Sequence, residues 1–124
     1  MRSRARVTAV ALLVGLVCLL ALSATALAGT TKQTQVKEGI HSLQVGLQSW
    51  AVDHGDRYPR FISNAHFRSA LGPYLDNWPL NPNTNRPMRL SRSGGNFGYR
   101  LSGDRTRFRL IGWGRDGARI IVVP

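Results

Sequence analysis

Five large apolar residues, Val36, Ile40, Leu43, Leu47 and Trp50, recur at steps of four and three. That spacing puts all five on one face of a helix. Lys32, Gln33, Gln35, Lys37, Gln44 and Gln48 fill most of the remaining circumference. Gly39 and Gly46 each weaken such a helix by about 1 kcal/mol relative to Ala, so it depends on burying its seam, at roughly 2 kcal/mol per side chain before entropy. His54-Gly55 ends the pattern, Gly55 supplying a left-handed residue. Asp56 to Arg60 reads as a turn that Pro59 keeps from continuing the helix.

Upstream lies a greasy segment. Arg2, Arg4 and Arg6 precede an uncharged stretch of 22 residues, 7–28, whose end, Ala26-Leu27-Ala28, fits the small-x-small rule of signal-peptide cleavage. Its length is also close to the ~20 residues that cross a bilayer. The stretch therefore reads either as a cleaved signal peptide or as a retained anchor. Both place the remainder outside the cytoplasm, because the arginines stay inside. The single cysteine, Cys18, sits in this stretch, so the exported part has no disulfide. With 14 basic and 6 acidic residues, that part carries a formal charge of +8, a balance that favours anionic partners without defining a fold.

Beyond the helix, Asn64 is placed to cap a short second helix with Phe67, Leu71 and Leu75 at four-residue steps, interrupted by Gly72-Pro73. Residues 77–87 hold three prolines and four asparagines and read as a loop, pinned by Trp78. Residues 91–95 read as a second loop. Then the period becomes two: Phe97, Tyr99 and Leu101, next Thr106, Phe108 and Leu110, then a β-branched run over 118–123 after the hairpin signal Asp116-Gly117. Gly103-Asp104 is placed to turn the chain between the first two strands. The expected fold is α+β: a long N-terminal helix packed on a small C-terminal antiparallel three-stranded sheet, a meander. The expected organisation is a signal or anchor over 1–28, a stalk helix over 29–54 and a head over 55–124. Val36, Ile40, Leu43, Leu47, Trp50, Trp78 and Trp113 form its expected structural core.

Little in the chain suggests catalysis. His41, His54 and His66 are 13 and 12 residues apart, with no metal pair at helical spacing. Ser42, Ser49 and Ser63 lack a glycine-flanked elbow. Gly94-Gly95-Asn96-Phe97-Gly98 lacks the lysine and following helix of a phosphate loop and reads as a flexible approach to a strand. No enzyme activity, metal or cofactor is expected. Arg100, Arg107, Arg109 and Arg119 should project from the sheet face opposite the helix, with Arg105 and Arg115 at its turns. Arg100, Arg105, Arg107, Arg109 and Arg119 are the candidate contacts for a polyanion or another subunit, since guanidinium forks bind phosphate through paired hydrogen bonds.

Taken in order, these segments resemble type IV pilins and type II secretion pseudopilins. Residues 43–59, with Leu47, Trp50-Ala51-Val52-Asp53, Gly55 and Tyr58-Pro59, look like that family's helix end. Tyr74-Leu75-Asp76, Trp78-Pro79, Asn81-Pro82 and Pro87-Met88 are similar to its connecting segment. Asn96-Phe97-Gly98-Tyr99 and Gly112-Trp113-Gly114-Arg115-Asp116-Gly117 look like its sheet and late turn. The family's processing motif, with a glutamate early in the mature chain, is absent, because no glutamate lies between Met1 and Lys37. Asp116 matches a calcium-binding aspartate of the pseudopilins, but one carboxylate is too few for calcium, so Asp116 is expected to start a hairpin turn. The resemblance implies a structural or accessory subunit of a cell-envelope assembly, partnered by like subunits or by secretion or pilus components. It would be membrane-anchored through residues 7–28, or secreted after cleavage near Ala28. A secreted basic module that binds DNA, anionic glycan or lipid headgroups is the alternative.

Overall fold

The apolar seam is buried where its period places it. The computed structural model describes residues 31–124, of which 31–52 form helix α1. The expected signal or anchor over 1–28, and the first two residues of the expected stalk, lie outside the described residues. No helix of the described residues is long and apolar enough to cross a membrane. Val36, Ile40, Leu43 and Leu47 are buried along α1. Trp50 departs from the expectation, being only half-buried, while Ala51 closes the seam in its place. Positions 50 and 51 lie three and four residues after Leu47, so both border the stripe of a 3.6-residue period. The indole instead stacks on His54, with ring centroids 3.6 Å apart. The helix ends as expected at Gly55, whose φ is +69°, and the Asp56 amide donates to the Ala51 carbonyl at 2.9 Å. That bond closes a Schellman-type cap.

Helix α2 spans Asn64–Leu71 and continues into a 3-10 turn, Gly72–Tyr74. Its cap is Ser63, whose hydroxyl accepts from the His66 amide at 3.1 Å. Asn64, expected as the cap, is the first helical residue, and its side-chain oxygen accepts from the Leu90 amide at 2.6 Å. Serine and asparagine cap about equally well, and the distant Leu90 amide draws Asn64 away. Phe67 and Leu71 are buried under α2. Phe67 lies at the centre of an aromatic cluster, with centroids 5.1 Å from Tyr99, 5.4 Å from Phe61, 5.8 Å from Phe97 and 6.5 Å from Trp78.

The sheet is an antiparallel meander of β1 (Phe97–Leu101), β2 (Phe108–Trp113) and β3 (Arg119–Val123), in that order. The fold is thus α+β. Register pairs Tyr99 with Leu110 and Leu110 with Val123, so these side chains share the inner face. Helix α1 meets that face at β2, where a Cβ on Gly112 would stand 2.9 Å from Val36 Cγ1 and 3.0 Å from Ile40 Cγ1. The glycines of α1 also have a packing role. A Cβ on Gly39 would stand 2.6 Å from Met88 Sδ, and one on Gly46 2.9 Å from Leu75 Cδ2. The connecting segment therefore presses on α1, and its contacts offset the weak helix propensity of both glycines.

The loops are held by polar bonds. Trp78 Nε1 donates to the Met88 carbonyl at 2.8 Å, as its pinning role requires. Asn81 and Asn96 are buried at 1% and 5% exposure. Asn81 Nδ2 donates to the Gly94 carbonyl at 3.0 Å and to Asn96 Oδ1 at 3.2 Å, and Asn81 Oδ1 accepts from the Asn83 amide. The stretch over 94–96, expected as a flexible approach to the strand, is thus tied on both sides. The Gly95 amide donates to the Trp113 carbonyl at 2.7 Å, and the Trp113 amide to the Asn96 carbonyl at 3.1 Å. Arg92 lies over the buried Trp113 ring, 5.2 Å from its centroid.

Candidate functional site

Strand alternation sets Arg100 and Arg109 on the outer sheet face, and register places them directly opposite each other. Like charges in that relation destabilise a sheet. Arg107 precedes Arg109 by two residues at the strand's approach, and all three side chains are exposed. They line one concavity of about 560 Å3, together with Gln44 and Gln48 of α1. No carboxylate side chain lines it.

Two of the five candidate arginines do not join this group. Arg119 pairs with Trp113 across an irregularity in the β2–β3 register, and it lines a different concavity with Gln33, Lys37 and Arg115. Through Trp113 it keeps the outer-face parity of Arg109, but it lies at the other end of β2, and distance along the strand separates it from the others. Arg105 is half-buried. Its Nε donates to the Tyr58 carbonyl at 2.8 Å, and the Tyr58 amide donates to the Arg105 carbonyl, also at 2.8 Å. It clasps the turn after α1 to the β1–β2 turn, so its guanidinium is a structural group.

Arg105 also holds the left-handed position of that turn, at φ +64°, where Gly103-Asp104 was expected to turn the chain. A non-glycine residue there costs roughly 1–2 kcal/mol. Arg105→Ala should lose the guanidinium bond and keep the strain, whereas Arg105→Gly loses that bond and relieves the strain. Urea unfolding should find the glycine variant more stable than the alanine variant by about 1 kcal/mol; equal stabilities would contradict the strained assignment.

Two groups near this end report on pH. The Ser102 hydroxyl and the Thr106 amide both donate to Asp104, and these bonds, the serine's first, lower its pKa to about 2. A depressed carboxylate pKa stabilises the fold above the ordinary value near ~4 and loses that contribution as pH falls towards the folded value. Tyr99 behaves oppositely. Burial pushes its phenol up, and its hydroxyl donates to the Pro59 carbonyl at 2.7 Å. Its contribution is complete below the ordinary tyrosine pKa of about 10 and is lost as pH rises beyond it. The Thr106 amide signal should therefore titrate below pH ~4, and the urea midpoint should fall above pH ~10. A midpoint flat through the alkaline range would contradict the buried, bonded phenol.

The remaining candidates have structural settings. His41, His54 and His66 are exposed, and among the described residues no three His, Cys, Asp or Glu side chains come together to hold a metal. Asp116 Oδ1 accepts from the Ala118 amide at 3.0 Å, and Gly117 takes φ +76°, so the aspartate closes the β2–β3 turn as expected. Asp53 accepts from the Tyr74 hydroxyl at 2.7 Å. That bond, first, raises the Tyr74 pKa. No protein-family profile matches the chain, and no curated protein or solved structure is significantly similar to it.

Proposed function

We propose that this chain is an exported, non-enzymatic subunit of a cell-envelope assembly, pilin-like or pseudopilin-like in build. The observation that carries this reading is the order and packing of its parts. The apolar seam of α1 reaches the middle strand of an antiparallel meander at Gly112, and a connecting segment packs on the same helix at Gly39 and Gly46. Residues 7–28 would anchor the chain or direct its export. Crosslinking in intact cells, followed by pull-down from envelope extracts, should recover like subunits or secretion or pilus components. Recovery of free monomer alone would argue against the reading. Mass spectrometry of the mature N-terminus separates its two forms: a start at Gly29 means cleaved and secreted, an intact 7–28 segment means anchored.

The direct opposition of Arg100 and Arg109 favours a second reading, a basic module that binds a polyanion through Arg100, Arg107 and Arg109. An anionic polymer would relieve the repulsion between the two guanidinium groups. Affinity for DNA or an anionic glycan should then fall steeply with salt, and fall again in Arg107→Ser/Arg109→Ser. Binding indifferent to both changes would exclude this reading.

A further inference from the structure

A second basic concavity, remote in sequence from the strand arginines, has a different make-up. Its volume is about 530 Å3, within the range of small-ligand sites. Arg68 from α2 and Arg86 and Arg89 from the connecting segment line it, with Asn64, Ala65 and Gly94. None of the chain's six carboxylate side chains does.

The backbone that carries these arginines is fixed. Arg86 donates its amide to Thr84 Oγ1 at 3.3 Å and accepts from the Asn81 amide at 2.8 Å. The Arg89 amide donates to the buried Asn96 Oδ1 at 3.3 Å. Arg68 follows Phe67, whose side chain is held in the aromatic cluster. Asn64 and Ala65 open α2, and first-turn amides at those positions have no acceptor within their own helix. The positive end of α2 therefore borders the same space. By sequence, Gly94-Gly95-Asn96 lacked the cation and helix start that phosphate binding needs. In space, α2 and the connecting segment bring both to Gly94.

We propose that the cleft between α2 and the connecting segment, lined by Arg68, Arg86 and Arg89, is a binding site for a phosphoryl group, either free phosphate or the phosphate of a small ester. Guanidinium forks and helix-start amides together match the tetrahedral oxygens of such a dianion. The size of the cleft suits a phosphate with a short organic tail better than a polymer. This site is independent of both functional readings above.

Isothermal titration of the full chain in a phosphate-free non-ionic detergent tests it, with inorganic phosphate and glycerol 3-phosphate as the two probes. At least one should bind saturably. Affinity should fall at least about tenfold in Arg86→Ser/Arg89→Ser and hold in the charge-matched control Lys32→Ser/Arg57→Ser, with circular dichroism confirming that each variant is folded. Equal binding of the two probes identifies the phosphoryl group as the whole ligand, and tighter binding of the ester locates further contacts for its tail. Arg68→Ser, on a separate segment, should weaken binding in the same way. Absence of saturable binding by either probe, or an equal loss in the control variant, overturns the proposal.

Discussion

Phe67→Ala is expected to remove a large part of the stability of the head. The ring is 1% exposed and touches aromatic partners from the post-helix turn, the connecting segment and β1. Deleting a buried phenylalanine costs about 3–5 kcal/mol, through lost transfer energy and the cavity left behind. A small domain is stable by only roughly 5–15 kcal/mol in total. Urea unfolding followed by tryptophan fluorescence should show the midpoint collapse. Ile62→Ala is the matched control, since Ile62 is 70% exposed, and it should stay within about 0.5 kcal/mol of the parent. A Phe67→Ala protein as stable as this control would mean that the aromatic cluster does not hold the head together.

Gly112→Ala is the second large effect, and it probes the contact between helix and sheet. An added Cβ would lie 2.7 Å from Ile121 Cγ2, 2.9 Å from Val36 Cγ1 and 3.0 Å from Ile40 Cγ1. Branched side chains close the space from both β3 and α1, so none can swing away without disturbing the core. Overpacking of this kind costs about 1–3 kcal/mol. Val36→Ala withdraws one of the three walls. The double variant should therefore be more stable than the sum of the two single losses by about 0.5 kcal/mol or more. Additive losses would mean that Val36 does not reach Gly112.

What could be read from the chain follows from periodicity and local turn chemistry. The seam of α1, the inner-face residues Phe97, Tyr99, Phe108 and Leu110, and the turns at Gly55 and Asp116-Gly117 all obey rules that act within a few residues. The misread positions depend on contacts far along the chain. Asn64 left the cap because the Leu90 amide takes its side chain. Arg105, expected at a turn as a candidate contact, is instead engaged by the Tyr58 carbonyl. Arg119 is set apart from Arg109 by the length of β2, which alternation, a rule of faces alone, does not report. Gly39 and Gly46, weak by helix propensity, make room for Met88 and Leu75 from far along the chain. The cleft of Arg68, Arg86 and Arg89 was hidden for the same reason: its cations come from separate segments, and only the fold brings them together.

The account rests on α1 lying against the middle strand of the meander. Nuclear Overhauser spectroscopy of the full chain, with labelled Val and Ile methyls, tests that contact directly. The account predicts cross-peaks from the Val36 and Ile40 methyls to the α-protons of Gly112. With those resonances assigned, the absence of such cross-peaks would contradict it.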